Sequence, residues 1–333
     1  MRSSPAAGSV FEAQNFWFGH FTVGNSRNAS ILIDTGSSDL IFNPGSRYYK
    51  PGPHSKNLHH TFSIQYETTK PDGSGYEKLS GNVFEDSVTL VGTDLTTPQQ
   101  QLGVVTQYQP SNALPFPEDG LMGLAGQESS LGDSVTSWWN KLCASSLIQE
   151  CRFGLALGAD GTGSQYYGGV EYSEFEGDLT VAPLDSQWAL YGDLAVNGTA
   201  IKNDVLITLD SGTATIIAPF DDAQQFFDAS GMEGIEEPNA DGVTVLKGYY
   251  SCQNPPQLGF KFPSASNETE SQPGKVFDIV PHGLELNSTG SRCQSTIVGM
   301  RDIPFWLVGQ AFMEGKYVDH NTDDSTLGFA VLK

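Results

Sequence analysis

Basic residues are scarce in this chain. Its 333 residues include 17 Lys and Arg against 39 Asp and Glu, a formal charge of −22. Nucleic acid and anionic membrane both call for basic patches, so neither is expected as a partner. Cysteine is scarce as well, and four cysteines allow three pairings. No C-x-x-C or H-x-x-x-H spacing occurs, which argues against metal ligation. His54, His59 and His60 crowd the stretch PHSKNLHH, but the Pro, Ser and Asn around them read as loop, and no metal is expected there. A G-x-S-x-G elbow is missing, which removes the usual sign of a serine hydrolase. The Gly-rich GADGTGSQYYGG at 158–169 lacks the G-K-[ST] ending and following helix of a phosphate loop, so it reads as a hairpin turn. There is no long apolar run for a signal peptide or membrane span. The terminal GFAVLK shows no lipid-anchor tail, so free secretion is expected over surface attachment.

What the chain does have is a duplication. ILIDTGSSDL, residues 31–40, sets the carboxylate of Asp34 at the end of an apolar strand and follows it with Thr, Gly and two Ser. Burying an ionised carboxylate costs several kcal/mol unless donors or an opposite charge compensate. Taken alone, Asp-Thr-Gly is a common way to end a strand. VLITLDSGTATII at 205–217 repeats it, however, and Asp210 lies 176 positions after Asp34 (210 minus 34). DGLMGLA at 119–125 and FWLVGQAF at 305–312 repeat as well, each ending an apolar stretch in two apolar residues and Gly. Repetition at this scale means two similar lobes. Packed about a pseudo-twofold axis, they would bring Asp34 and Asp210 face to face.

With these motifs the chain resembles the pepsin-like aspartic proteases of the secreted fungal or yeast type. FWFGHFTVGN at 16–25 is similar to that family's first strands, and YVDHNTDDSTLGFAVLK at 317–333 to its terminal hairpin, so the likeness runs over nearly the whole chain. It implies a mostly β, bilobal fold of two pseudo-twofold-related β lobes, with a central cleft covered by a β-hairpin flap. Short strands punctuated by Gly, Pro, Asn and Asp agree with that, with helices expected at 133–148 and 221–230. The join is expected near 180–190, giving an N-terminal lobe of 1–185 with Asp34 and the flap, and a C-terminal lobe of 186–333 with Asp210. MRSSPAAGSV reads as a mature start with a residual head, and the family's basic prosegment is missing, so a processed enzyme is expected.

The resemblance also assigns roles. Asp34 and Asp210 would share one proton and activate a water for attack on a peptide carbonyl, with no cofactor and no covalent intermediate. Thr35 and Ser211 would tie the two loops together, Ser37 and Thr213 would bond the outer carboxylate oxygens, and Gly36 and Gly212 would let the backbone turn. Ser211 stands where the family more often has Thr, and its hydroxyl keeps the bond. The flap spans 62–86 with PDGSG as its turn. Tyr66 matches the flap tyrosine by its SIQY context, and Tyr76, beside the turn, is the alternative. Ile41 replaces a Trp that usually bonds this tyrosine. A cleft lined by Leu32, Tyr66, Phe116, Leu121 and Ile216 would favour large apolar residues around the cut bond.

Glu118, at a position often aromatic in relatives, reads plainly as a solvated loop carboxylate; the sharper reading is that it admits Lys or Arg into an apolar pocket. Cys143 with Cys151, and Cys252 with Cys293, are the expected disulfides. Asn28, Asn197, Asn267 and Asn287 head glycosylation sequons, which suits a secreted protein. Peptide substrates, inhibition by pepstatin-type compounds and a monomeric state are implied. The competing functions are a catalytically inactive relative that binds peptides or proteins through the same cleft, and an inhibitor or cell-wall glycoprotein on a borrowed fold. In either case substitution of Asp34 or Asp210 would leave function intact.

Overall fold

Period-two alternation folds as strand. Along Tyr76–Leu90, Glu77, Leu79, Gly81, Val83, Asp86, Val88 and Leu90 turn inward, and the residues between them are exposed or half-buried. The computed structural model describes residues 4–13, 15–43, 49–67, 70–110, 119–126, 129–132, 135–264 and 272–333. They fall into two compact units: the described parts of 1–69, 75–155 and 161–171 in the first, and of 70–74, 156–160 and 172–333 in the second. Asp34 lies in the first unit and Asp210 in the second.

In the first unit, Ala6–Ala13, Phe16–Val23 and Ser26–Asp34 form an antiparallel meander. Ser26–Asp34 runs parallel to Gly120–Gly123, which in turn is antiparallel to Leu40–Phe42. Leu40–Phe42 pairs with Thr96–Pro110, and beyond it come Tyr76–Leu90 and Lys56–Glu67, an antiparallel hairpin. These strands bury Phe18, Leu32, Ile41, Phe62, Ile64, Leu79, Val83, Val105, Leu121 and Leu131 in one cluster. Each large side chain so buried stabilises by roughly 1.5–3 kcal/mol.

Trp138 and Trp139 close the other side, with Trp138 edge-on to Phe21 at 5.6 Å and to Tyr167 at 5.1 Å, and Trp139 edge-on to Phe153 at 4.9 Å. They sit on a helix shorter than the 133–148 expected. It covers Trp138–Cys143, because Ser137 is extended and its hydroxyl accepts from Asn140 N–H, which starts the helix there. After Cys143 the Ser145 hydroxyl donates to the Leu142 carbonyl and helps turn the chain away.

The second unit holds a sheet in the order Glu233–Pro238, Thr244–Ser251, Arg292–Met300, Ile216–Pro219, Trp306–Val308, Thr199–Leu209, Ala189–Val196, Leu258–Ser264, Gln272–Asp278. Helix Phe220–Ser230 lies near the 221–230 expected. Asp221 and Asp222 in its first turn suit the positive end of the dipole, and Gly231 at φ 75° closes it. Phe226 packs edge-on to Trp306 at 5.6 Å, and the Trp306 indole donates to Asp222 Oδ2 at 3.1 Å. Phe262 stacks on Phe329 at 4.2 Å. Among the described residues no helix is long and apolar enough to cross a membrane.

Disulfides join Cys143 to Cys151 and Cys252 to Cys293, closing separations of 8 and 41 residues. Loop-closure entropy grows with the logarithm of loop length, so removing the longer link is expected to cost about 4 kcal/mol and the shorter about 2.5. Urea unfolding of the Cys252→Ser/Cys293→Ser and Cys143→Ser/Cys151→Ser pairs would show this as a larger fall in midpoint for the former. Equal midpoints would contradict it.

Candidate active site

The loop after Ser26–Asp34 shows why a carboxylate can end so apolar a strand. Ile31, Leu32 and Ile33 are buried and carry Asp34, 4% exposed, to the strand's last position. The chain turns through Thr35, Gly36 and Ser37 before returning as Leu40–Phe42, and Gly120–Gly123 lies between the two arms. Asp34 Oδ1 accepts from Gly36 N–H at 2.8 Å, and Oδ2 accepts from the Ser37 hydroxyl. Two donors to the charged form offset its loss of water.

The second unit builds the same loop. Thr199–Leu209 leads into Asp210, Ile216–Pro219 returns, and Trp306–Val308 lies between them, parallel to the first and antiparallel to the second. Asp210 Oδ1 accepts from Gly212 N–H at 2.8 Å and Oδ2 from the Thr213 hydroxyl at 2.6 Å. Thr35 and Ser211, at equivalent positions, are 2% and 0% exposed. The Gln310 amide also donates to the Ser211 carbonyl at 2.5 Å.

Each loop depends on a glycine at the end of the strand threaded through it, Gly123 as the last residue of Gly120–Gly123 and Gly309 just after Trp306–Val308. Gly123 N–H donates to the Asp39 carbonyl at 2.8 Å and Gly309 N–H to the Thr215 carbonyl at 3.0 Å; the acceptors are again 176 positions apart (215 minus 39) and the glycines 186 (309 minus 123). A Cβ on Gly123 would lie 2.5 Å from the Ser37 carbonyl oxygen, and one on Gly309 would lie 2.0 Å from that of Thr213. Only a residue without Cβ allows so close an approach.

Over the first loop stands Tyr66, from Lys56–Glu67. Its phenol is held well above the ordinary range, chiefly by burial and then by the negative charges of Asp34, Asp39 and Glu77, with the Ser37 hydroxyl acting the other way. Tyr76, by contrast, is 40% exposed. Ile41 is fully buried in the cluster on which Tyr66 packs, and supplies no polar atom there.

Known proteins are similar to this chain over nearly its whole length. The sequence pattern of the eukaryotic aspartyl proteases matches residues 16–332. The chain belongs to that family. Its class of reaction is therefore that of an aspartic-type endopeptidase. Secreted aspartyl protease 1 of Malassezia globosa is 25% identical over 94% of this chain and 73% of its own, and penicillopepsin-1 of Penicillium janthinellum is 28% identical over 93% of each. Rhizopuspepsin-3 of Rhizopus niveus is 28% identical over 92% of this chain and 76% of its own. In fold, the crystal structure of an aspartic proteinase from Irpex lacteus superposes with a TM-score of 0.76 at 19% identity, covering 98% of both chains.

Of the residues proposed in this aspartyl protease to line the cleft, Leu32 and Leu121 belong to the buried cluster of the first unit on which Tyr66 packs, and Ile216 is fully buried in the second. Phe116, Glu118 and Asn267 lie outside the described residues. Asn28 and Asn197 are exposed at positive φ, while the Asn287 side-chain amide donates to Gln294. His54 and His59 are exposed and His60 is half-buried. Sequence reading passed over Asp39, which is 3% exposed and accepts from the Ser129 hydroxyl and, at 2.9 Å, from Ser130 N–H. Burial pushes its carboxyl up while those bonds pull it down, and the net is upward. The signal was present as the second Asp of D-T-G-S-S-D, but its partners lie some 90 residues away.

Proposed function

We propose that this aspartyl protease is a secreted endopeptidase that cleaves peptides at acidic pH, using water activated between Asp34 and Asp210, with large hydrophobic residues favoured around the cut bond. The observation that carries the reading is the repeated donor set: each carboxylate takes one glycine N–H and one hydroxyl, at positions related by one constant offset. Two carboxyls about 3 Å apart cannot both ionise readily, and aspartic proteases are themselves the reference case. One proton is then shared across the working range, leaving one acid and one base.

The ionised member takes a proton from water as it attacks the carbonyl carbon, and the protonated member donates to the carbonyl oxygen. A proton later passes to the leaving nitrogen as the C–N bond breaks. Thr35 and Ser211 would join the loops, while Ser37 and Thr213 hold the outer oxygens. Tyr66 serves as the hairpin tyrosine in this reading, since its buried phenol, beside Asp34, stays a neutral donor. Two disulfides, exposed Asn28 and Asn197 sequons and a relative described as secreted support export. The charge of −22 suits acid surroundings, where protonation lowers self-repulsion.

A denatured protein such as haemoglobin, incubated with the enzyme between pH 2 and 8 with and without pepstatin, tests this. Cleavage confined to the acid side, abolished by pepstatin and flanked by large apolar residues, is expected. A folded sample that cuts nothing at any pH would overturn the reading.

A further inference from the structure

Glu77 is a buried carboxyl that takes no part in either Asp loop. It is 6% exposed on the inward face of Tyr76–Leu90, directly across the ladder from Tyr66. From Thr96–Pro110 the Tyr108 phenol donates to its Oε1 at 3.1 Å. From Lys56–Glu67 it faces Tyr66, whose phenol also feels Asp34 and Asp39. Both tyrosines pack on the apolar cluster that holds Ile64, Leu79 and Ile41. The flanking polar side chains, Tyr76 and Lys78 on its own strand and Gln65 and Glu67 on the next, are exposed on the opposite face.

A neutral carboxyl fits this place and an ionised one does not. Ionised, Glu77 would add a negative charge to the side that already holds Asp34 and Asp39, in apolar surroundings and with Tyr108 as its one side-chain donor among the described residues. We propose that Glu77 is a positioning residue that holds the Tyr66 arm of the hairpin against the Asp34 loop only in its neutral form, so that its ionisation sets the upper pH limit of catalysis. This rests on the endopeptidase reading above.

Burial pushes the Glu77 carboxyl from its ordinary 4.5 up to about 7, with the Tyr108 hydrogen bond pulling the other way. The direction of the pH effect follows from that shift. Below about 4.5 the carboxyl is protonated whether the hairpin is packed or opened, and the packing is fully favourable. As pH rises from 4.5 through about 7, the opened form ionises first and the packed form loses ground. Above about 7 the whole advantage is gone.

The test is the pH profile of kcat/KM from pH 3 to 7.5 for the parent, Glu77→Gln and Tyr108→Phe. The ratio of Glu77→Gln to parent is expected to rise about tenfold or more between pH 4.5 and 6.5. The upper limb of Tyr108→Phe should move to lower pH, because without the bond that favours the ionised form the packed hairpin loses more ground to the opened one. In glutamate-labelled protein, a carbon resonance absent from Glu77→Gln should titrate near pH 7 by NMR. A Glu77→Gln profile that superimposes on the parent's, or a Glu77 resonance titrating near 4.5, overturns the proposal. If the parent cuts nothing at any pH, the endopeptidase reading fails by itself. The titration then still decides whether Glu77 is neutral, and amide exchange over 62–66 at pH 4.5 and 7 decides its positioning. Protection lost with pH in the parent but kept in Glu77→Gln supports it, and equal protection overturns it.

Discussion

Asp34→Asn and Asp210→Asn should each lower kcat/KM by at least about 10³-fold while leaving the fold in place. Either change removes a carboxyl from a pair whose chemistry needs one acid and one base at once, and an amide is neither at any working pH. The supporting contacts, by contrast, largely survive. An Asn oxygen still accepts from Gly36 N–H or Gly212 N–H, and the hydroxyls of Ser37 and Thr213, which donate to the carboxylates in the parent, can turn to accept from the new amide. A thermal melt followed by circular dichroism should therefore stay close to the parent's. Activity above a tenth of the parent's in either variant would remove the shared-proton mechanism and revive a role in binding alone.

Gly309→Ala should destabilise the second unit by about 3 kcal/mol and abolish most activity with it. The added methyl would lie 2.0 Å from the Thr213 carbonyl oxygen and 2.4 Å from that of Thr215, and both are backbone atoms, so the loop itself has to move. Thr213 is also the residue whose hydroxyl bonds Asp210, so relief of the clash shifts a partner of the carboxylate. Gly123→Ala should do the same in the first unit, where the methyl would lie 2.5 Å from the Ser37 carbonyl oxygen and from Asp39 N. Gly169→Ala is the control, since its Cβ would find nothing nearer than Pro5 at 3.8 Å. Calorimetry and cleavage rate read both effects. A Gly309→Ala protein that melts and cuts like the parent would refute the account of why glycine stands there.

The sequence by itself determined the two Asp loops, because everything that builds them is local: an apolar strand, an acid, a hydroxyl and a glycine within a few positions. Duplication at a constant offset then separated that motif from an ordinary turn. Helix Phe220–Ser230 was legible for the same reason, with acids in its first turn and Gly231 just past its end. The tertiary structure alone decided which side chains leave water. The pairing of Tyr66 with Glu77 and of Glu67 with Tyr76 sends one tyrosine inward and the other out, a choice neither strand carries in its own sequence. Glu77 and Asp39 are bonded by Tyr108 and Ser129, 31 and 90 residues away, which no local stretch of sequence brings to them. Leu32, Leu121 and Ile216 likewise became core once strands distant in sequence closed over them. Turn and strand preferences act over a few residues, whereas burial depends on register between segments far apart in the chain, and that register is set only when the sheet assembles.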